Sequence, residues 1–249
     1  MPNYALLLEY NGKNFHGWQK QPSVRTIQEE LQKAIEVATR NPIKKLTASG
    51  RTDSGVHAKN QVVNFFSPIE IDLKSLPLAI SSILKYEVSV LKINKVVDEF
   101  DACRWAQAKT YRYVILNRSV PPVIEAGFCW HVTSMLDIEE LKKDANFLIG
   151  EQDFTSFRAS GCGSRTPVKT IHNINIKKSN NYVYIEIRGS GFLKQMVRNI
   201  VGTLVDLQQK KININMSELI NKRDRTLAGR TAPAQGLFLM NVEYELKIF

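Results

Sequence analysis

Residues 26–38 read TIQEELQKAIEVA. Ile27, Leu31, Ala34, Ile35 and Ala38 fall on one face at helical spacing, and Thr26-Ile27-Gln28-Glu29 has the form of a capping box, so the stretch predicts a helix with one buried side. Working outward, residues 4–10 alternate around Tyr4, Leu6, Leu8 and Tyr10, a strand pattern. After the helix come two short strands, around 45–51 and 60–67. An apolar helical segment then covers about 73–85, with Pro77 in its first turns, and a Val-rich strand covers 88–97. The order is β-α-β-β-α-β, the ferredoxin-like pattern.

The second half repeats that order with insertions. A strand at 108–116 opens it, and Asp137-Ile138-Glu139-Glu140 caps a helix that ends near Gly150. Strands at 170–178 and 182–188 are joined by the turn Ser179-Asn180-Asn181. An amphipathic helix over about 192–208 buries Leu193, Met196, Val197, Ile200, Val201, Leu204 and Val205, and a last strand covers 237–246. The fold class expected is therefore α+β: two ferredoxin-like halves, residues 1–105 and 106–249. Their sheets are expected to form one continuous mixed central sheet flanked by helices, with an active-site cleft between the halves.

Thirty-four Lys and Arg stand against 24 Asp and Glu, a formal charge of +10 in a chain of 249 residues. Such an excess favours a polyanionic partner, because each phosphate neutralised releases condensed counterions. No run of 18 or more apolar residues is present, so no membrane association is expected. The opening MPNYALLLEYNGK lacks a basic n-region and a small-residue cleavage site, and reads as the first strand. Cys103, Cys129 and Cys162 are odd in number, far apart and without a CxxC pair, which points to a reducing cytoplasm.

Cofactor motifs fail on inspection. Gly189-Ser190-Gly191 lies between a strand and a helix, but the third glycine of a dinucleotide fingerprint would fall on Lys194. Gly12-Lys13 lacks the rest of a P-loop. His16, His57, His131 and His172 have no ligand spacing. Neither a nucleotide cofactor nor a metal is expected.

The segment Ala48-Ser49-Gly50-Arg51-Thr52-Asp53-Ser54-Gly55-Val56-His57-Ala58 differs in kind. Its glycines permit tight turns, and Arg51 and Asp53, two residues apart, would point the same way in extended backbone. An acid beside a guanidinium stays ionised at neutral pH, as a nucleophile or base requires. By residue chemistry alone an Asx-turn in a surface hairpin fits the same letters.

This loop resembles the GRTDxGVHA signature of the tRNA pseudouridine synthase A family, with Ser54 where alanine is frequent. The resemblance extends through Tyr10-Asn11-Gly12 with Phe15-His16-Gly17-Trp18-Gln19, and through Lys109-Thr110-Tyr111-Arg112-Tyr113. It continues in Phe192-Leu193-Lys194-Gln195-Met196-Val197-Arg198-Asn199 and ends in Thr231-Ala232-Pro233-Ala234-Gln235-Gly236-Leu237. The motifs run in family order along nearly the whole chain.

The resemblance implies isomerisation of uridine to pseudouridine at positions 38, 39 and 40 of the tRNA anticodon arm, by a cytoplasmic homodimer. It makes Asp53 the catalytic carboxylate, as nucleophile or base, and pairs it with Arg198. Tyr111 would stack on the target base, Leu237 would close the apolar side of the pocket, and Arg51 would hold the vacated position or brace the loop. Trp18, Lys20, Arg158, Arg165 and Lys169 are further candidates for RNA contact. A non-catalytic RNA-binding protein of ferredoxin-like fold is the competing reading, but it expects an aromatic RNP-type strand that the sequence lacks. An acid–base hydrolase wants two convergent carboxylates, and the loop supplies one.

Overall fold

The computed structural model describes residues 1–249, which form two compact units. The first comprises Met1–Gln107 and Phe238–Phe249, the second Ala108–Leu237. The chain crosses from one to the other within β5 (Ala106–Asn117) and returns at the start of β10 (Leu237–Tyr244).

In the first unit the elements run β1 (Asn3–Tyr10), α1 (Ile27–Thr39), β2 (Leu46–Ala48), β3 (His57–Phe66), α2 (Leu76–Ile83) and β4 (Val88–Val96). This is the order read from the sequence. β1 is central: Leu6 lies opposite Val63 of β3 on one side and Ile93 of β4 on the other, both antiparallel. β2 pairs antiparallel with the far end of β3. β10 pairs with β3 in parallel, Phe238 against His57 and Leu239 against Ala58, so this sheet is mixed. The C-terminal strand was expected in the second half, whereas residues 238–249 group with the first unit.

The helix expected over residues 26–38 is present as α1, and Ile27, Leu31, Ala34 and Ile35 are fully buried. Each large apolar side chain so buried contributes about 1.5–3 kcal/mol. Its capping box does not form. The Thr26 hydroxyl is buried without a hydrogen bond, and the first-turn amides are taken elsewhere: Ile27 N donates to Gly17 O at 3.1 Å and Gln28 N to Trp18 O at 3.0 Å. A tertiary partner has replaced the local cap, and it ties the start of α1 to the Gly17–Trp18 segment. Pro77 lies in the first turn of α2, as expected, where its missing N–H costs nothing.

In the second unit β5 pairs antiparallel with β9 (Tyr182–Gly189), β9 with β8 (Val168–Ser179), and β8 with β7 (Gly150–Asp153). β6 (Trp130–Val132) adds a short parallel pairing to β5. The turn between β8 and β9 places Asn180 at φ 51°, a conformation asparagine tolerates. α3 (Ile138–Asn146) is capped as read, Asp137 Oδ1 accepting from Glu139 N and Glu140 N, but it stops short of Gly150, which opens β7. β6, β7 and α5 (Met216–Lys222) went unread because each is too short for periodicity to show.

α4 (Met196–Gln208) begins four residues later than expected. Gln195 adopts φ 60°, and Met196 N bonds Leu193 O, so residues 192–195 form a turn. The expected apolar stripe is buried. So are Asn199, Gly202, Thr203 and Asp206 on the polar side, because the segment 225–232 lies against that face.

Candidate active site

The loop between β2 and β3 carries Asp53, and a second segment, residues 10–18, holds it. Tyr10 Oη and Thr52 Oγ1 lie 2.9 Å apart in a fully buried contact. Burial pushes the Tyr10 phenol up to about 12, so it stays protonated and able to donate. Gly12 N donates to His57 Nδ1 at 3.1 Å, Trp18 N donates to Thr52 O at 3.0 Å, and Gly55 N donates to Phe15 O at 3.3 Å. From the strand side, Gln61 Nε2 donates to Gly50 O at 2.8 Å, while Gln61 Oε1 accepts from the Ser49 hydroxyl. Asp53 O itself accepts from Val56 N at 3.1 Å, closing the turn.

Two glycines make this approach possible. A Cβ on Gly12 would lie 2.0 Å from Val56 O, and one on Gly17 would lie 2.6 Å from Thr52 O, with Gly17 also at φ 85°. No side chain fits either place. The holding segment is itself clamped. His16 N donates to Arg25 O, the Arg25 guanidinium lies 4.5 Å over the Phe15 ring, and the same guanidinium pairs with Glu87 at 2.7 Å.

On this support Asp53 is half-buried and Arg51 is exposed. Lys20 is exposed and pairs with Glu29 at 3.7 Å. Trp18 corrects the expectation of RNA contact: it is 2% exposed, tilted against Tyr10 at 6.4 Å between ring centroids. Its ring fills the space under the loop, since an indole between Tyr10 and the loop gains more from burial than from water.

In the second unit Tyr111 lies on β5 opposite Ile187, 7% exposed, edge-to-face with Phe192 at 5.1 Å and 85°. Arg198 sits in the first turn of α4. Its Nε donates to Ala232 O at 2.8 Å, and Ala232 N returns a bond to Arg198 O at 3.1 Å. Leu237 is buried, and the turn before it packs on Tyr113 so closely that a Cβ on Gly236 would lie 2.7 Å from the ring. Tyr113 Oη donates to Pro233 O at 2.6 Å, and burial raises that phenol far above its ordinary value.

Arg158 is half-buried and donates to Cys162 O and Ser164 O, at 2.9 and 3.0 Å, so it shapes its own loop. That loop meets the turn before α4 through Ala159 N to Lys194 O, 3.1 Å. Arg165 is exposed and Lys169 half-buried.

The sequence reading missed His57 as acceptor, Thr52 as anchor, and a buried polar set on α4. Asn199, Thr203 and Asp206 recur at helical spacing, the one signal in the sequence that could have found them. Asp206 in fact accepts from Arg230 Nε at 2.8 Å and from Arg230 N at 2.8 Å.

Mixed α/β units, a braced loop presenting one carboxylate and a charge of +10 define a class of basic α/β proteins suited to a polyanionic partner. Comparison with known proteins gives the class its member. The family model described as tRNA pseudouridine synthase matches residues 7–105 and 145–245. A tRNA pseudouridine synthase A from Thermoanaerobacter sp. (strain X514) is 42% identical over 245 residues, covering 98% of this chain and 100% of the relative. The protein of that name from Buchnera aphidicola subsp. Acyrthosiphon pisum (strain Tuc7) is 40% identical, covering 98% and 91%. That from Salmonella paratyphi B (strain ATCC BAA-1250 / SPB7) is 40% identical, covering 96% and 89%. The chain belongs to the tRNA pseudouridine synthase family, isomerases that convert uridine to pseudouridine.

Proposed function

We propose that this protein converts uridines 38, 39 and 40 of the tRNA anticodon arm to pseudouridine, with Asp53 as its catalytic carboxylate. The observation that supports this is the bracing of the Asp53 loop: amides, hydroxyls and two obligatory glycines fix a short turn around one half-buried acid. A hairpin with no task has no need of such support.

The reaction breaks the bond from ribose C1′ to base N1, turns the base, and forms a bond from C1′ to C5. The C5 proton leaves to solvent and N1 gains one, so atoms and redox state balance without a cofactor. Asp53 starts it at the ribose, adding to C1′ or removing a ribose proton. Arg198 pairs with the Asp53 carboxylate and keeps it charged and aimed. Tyr111 stacks on the target base once it has left its own stack, and Leu237 closes the apolar side. Arg51 holds the place the nucleotide vacates. Lys20, Arg165 and Lys169 take phosphates, while Arg158 shapes the loop that carries Arg165. The working form is a homodimer in the cytoplasm; no helix is long and apolar enough to cross a membrane.

Tritium release tests the reaction. Anticodon-arm RNA labelled at uridine C5 should lose label to solvent in step with pseudouridine formation. Retained label would reject the activity, and label lost from RNA lacking those three uridines would reject the positions.

A further inference from the structure

The polar side of α4 carries a buried hydrogen-bonded set that the reaction as described does not use. Asn199 is 0% exposed. Its Nδ2 donates to Phe157 O at 2.8 Å, and its Oδ1 accepts from Thr231 Oγ1 at 2.6 Å and Arg225 NH2 at 3.0 Å. Arg225 also donates to Gly229 O at 2.9 Å and to Thr231 Oγ1 at 3.1 Å. These acceptors are neutral, so a half-buried guanidinium is used here as a fork of directed donors. Burial lowers its pKa somewhat, in keeping with that setting.

What the fork holds is the segment 228–232, and this segment lies on α4 with no slack. A Cβ on Gly202 would fall 1.8 Å from Arg230 O, and one on Gly229 would fall 2.7 Å from the Thr203 Cα. The segment ends at Ala232, whose carbonyl receives Arg198 Nε. Thr231, the residue before it, is the one that Arg225 and Asn199 grip. The Ala232 carbonyl is thus one anchor of the Arg198 guanidinium, and that carbonyl follows the grip on its neighbour.

We propose that Arg225 and Thr231 are positioning residues for Arg198, acting through the Ala232 carbonyl. This rests on the role given to Arg198 above. A guanidinium turned by a small displacement of its anchor no longer meets the carboxylate squarely, and a misplacement of about 1 Å can cost roughly a hundredfold in rate.

The test uses the full-length protein and single-turnover rates on tRNA. Thr231→Val keeps the shape and removes the hydroxyl; Thr231→Ser keeps the hydroxyl. We expect Thr231→Val to lose roughly ten- to a hundredfold in rate, with tRNA affinity unchanged, and Thr231→Ser to retain it. Arg225→Lys, which cannot fork, should fall with Thr231→Val.

The deciding measurement is the same substitution in an Arg198→Ala background. If Thr231 acts through Arg198, Thr231→Val should then change the residual rate by less than about twofold. A merely structural role would lower the active fraction in both backgrounds alike. Additive loss, or a wild-type rate in Thr231→Val and Arg225→Lys while Arg198→Ala is crippled, overturns this proposal alone. A wild-type rate in Arg198→Ala overturns the role of Arg198 and this proposal with it.

Discussion

Gly12 N donates to His57 Nδ1 at 3.1 Å, and the Gly12 Cα stands so close to Val56 that a Cβ would lie 2.0 Å from its carbonyl oxygen. The two residues join the end of the first strand to the end of the loop that carries Asp53. Gly12→Ala should push the loop off this contact and destabilise the protein by about 1–3 kcal/mol, the usual range for forced overpacking. Thermal melting reads this as a fall of roughly 2–4 °C per kcal/mol at this chain length. An unchanged melting temperature would show that the contact yields freely.

Asp53→Asn should abolish pseudouridine formation while leaving fold and tRNA affinity nearly intact. The turn is closed by the Asp53 backbone carbonyl, which Asn retains, and the side chain is isosteric, so only the charge is lost. Asp53→Glu should rescue poorly, because one methylene moves the carboxylate by about the 1 Å that costs roughly a hundredfold. Near-normal turnover in Asp53→Asn would return the loop to an ordinary Asx-turn.

Tyr111→Phe separates two uses of one ring. The ring is held edge-to-face by Phe192, and Phe in its place keeps that packing. If the hydroxyl moves a proton while the base is rejoined, turnover should drop with binding kept. Equal single-turnover rates in both proteins would leave the ring with stacking alone.

Affinity for tRNA should fall steeply with salt, linearly on a log–log plot, because the +10 charge acts by releasing counterions from phosphate. Filter binding across a salt series gives the slope. A flat response would mean that the basic excess is solvated surface and not an RNA-binding face.

Most strands and helices of the first half were legible because they are long enough to show a period, as in Tyr4, Leu6 and Leu8 or in Ile27, Leu31 and Ile35; β2 keeps only three residues of the stretch 45–51. β7, with four residues, and α5, with seven, gave periodicity too little length. Thr26 shows a different failure. Its letters fit a capping box, but Gly17 O and Trp18 O reached the helix amides first, and no local rule contains that competition. Trp18 shows it again, an aromatic among polar neighbours that reads as exposed until Tyr10 and Thr52 are placed around it.

The sequence by itself determined the order of the longer elements, the basic charge, and the loop that carries Asp53, since these depend on neighbours along the chain. It held the letters of Asn199, Arg225 and Thr231 without any sign that they meet. Only the tertiary structure decided that meeting, as it decided that the last strand runs beside His57 and Ala58 of β3. The reason is physical: most buried polar groups take a partner wherever the fold supplies one, and Asn199 takes Arg225 and Thr231, which lie far along the chain.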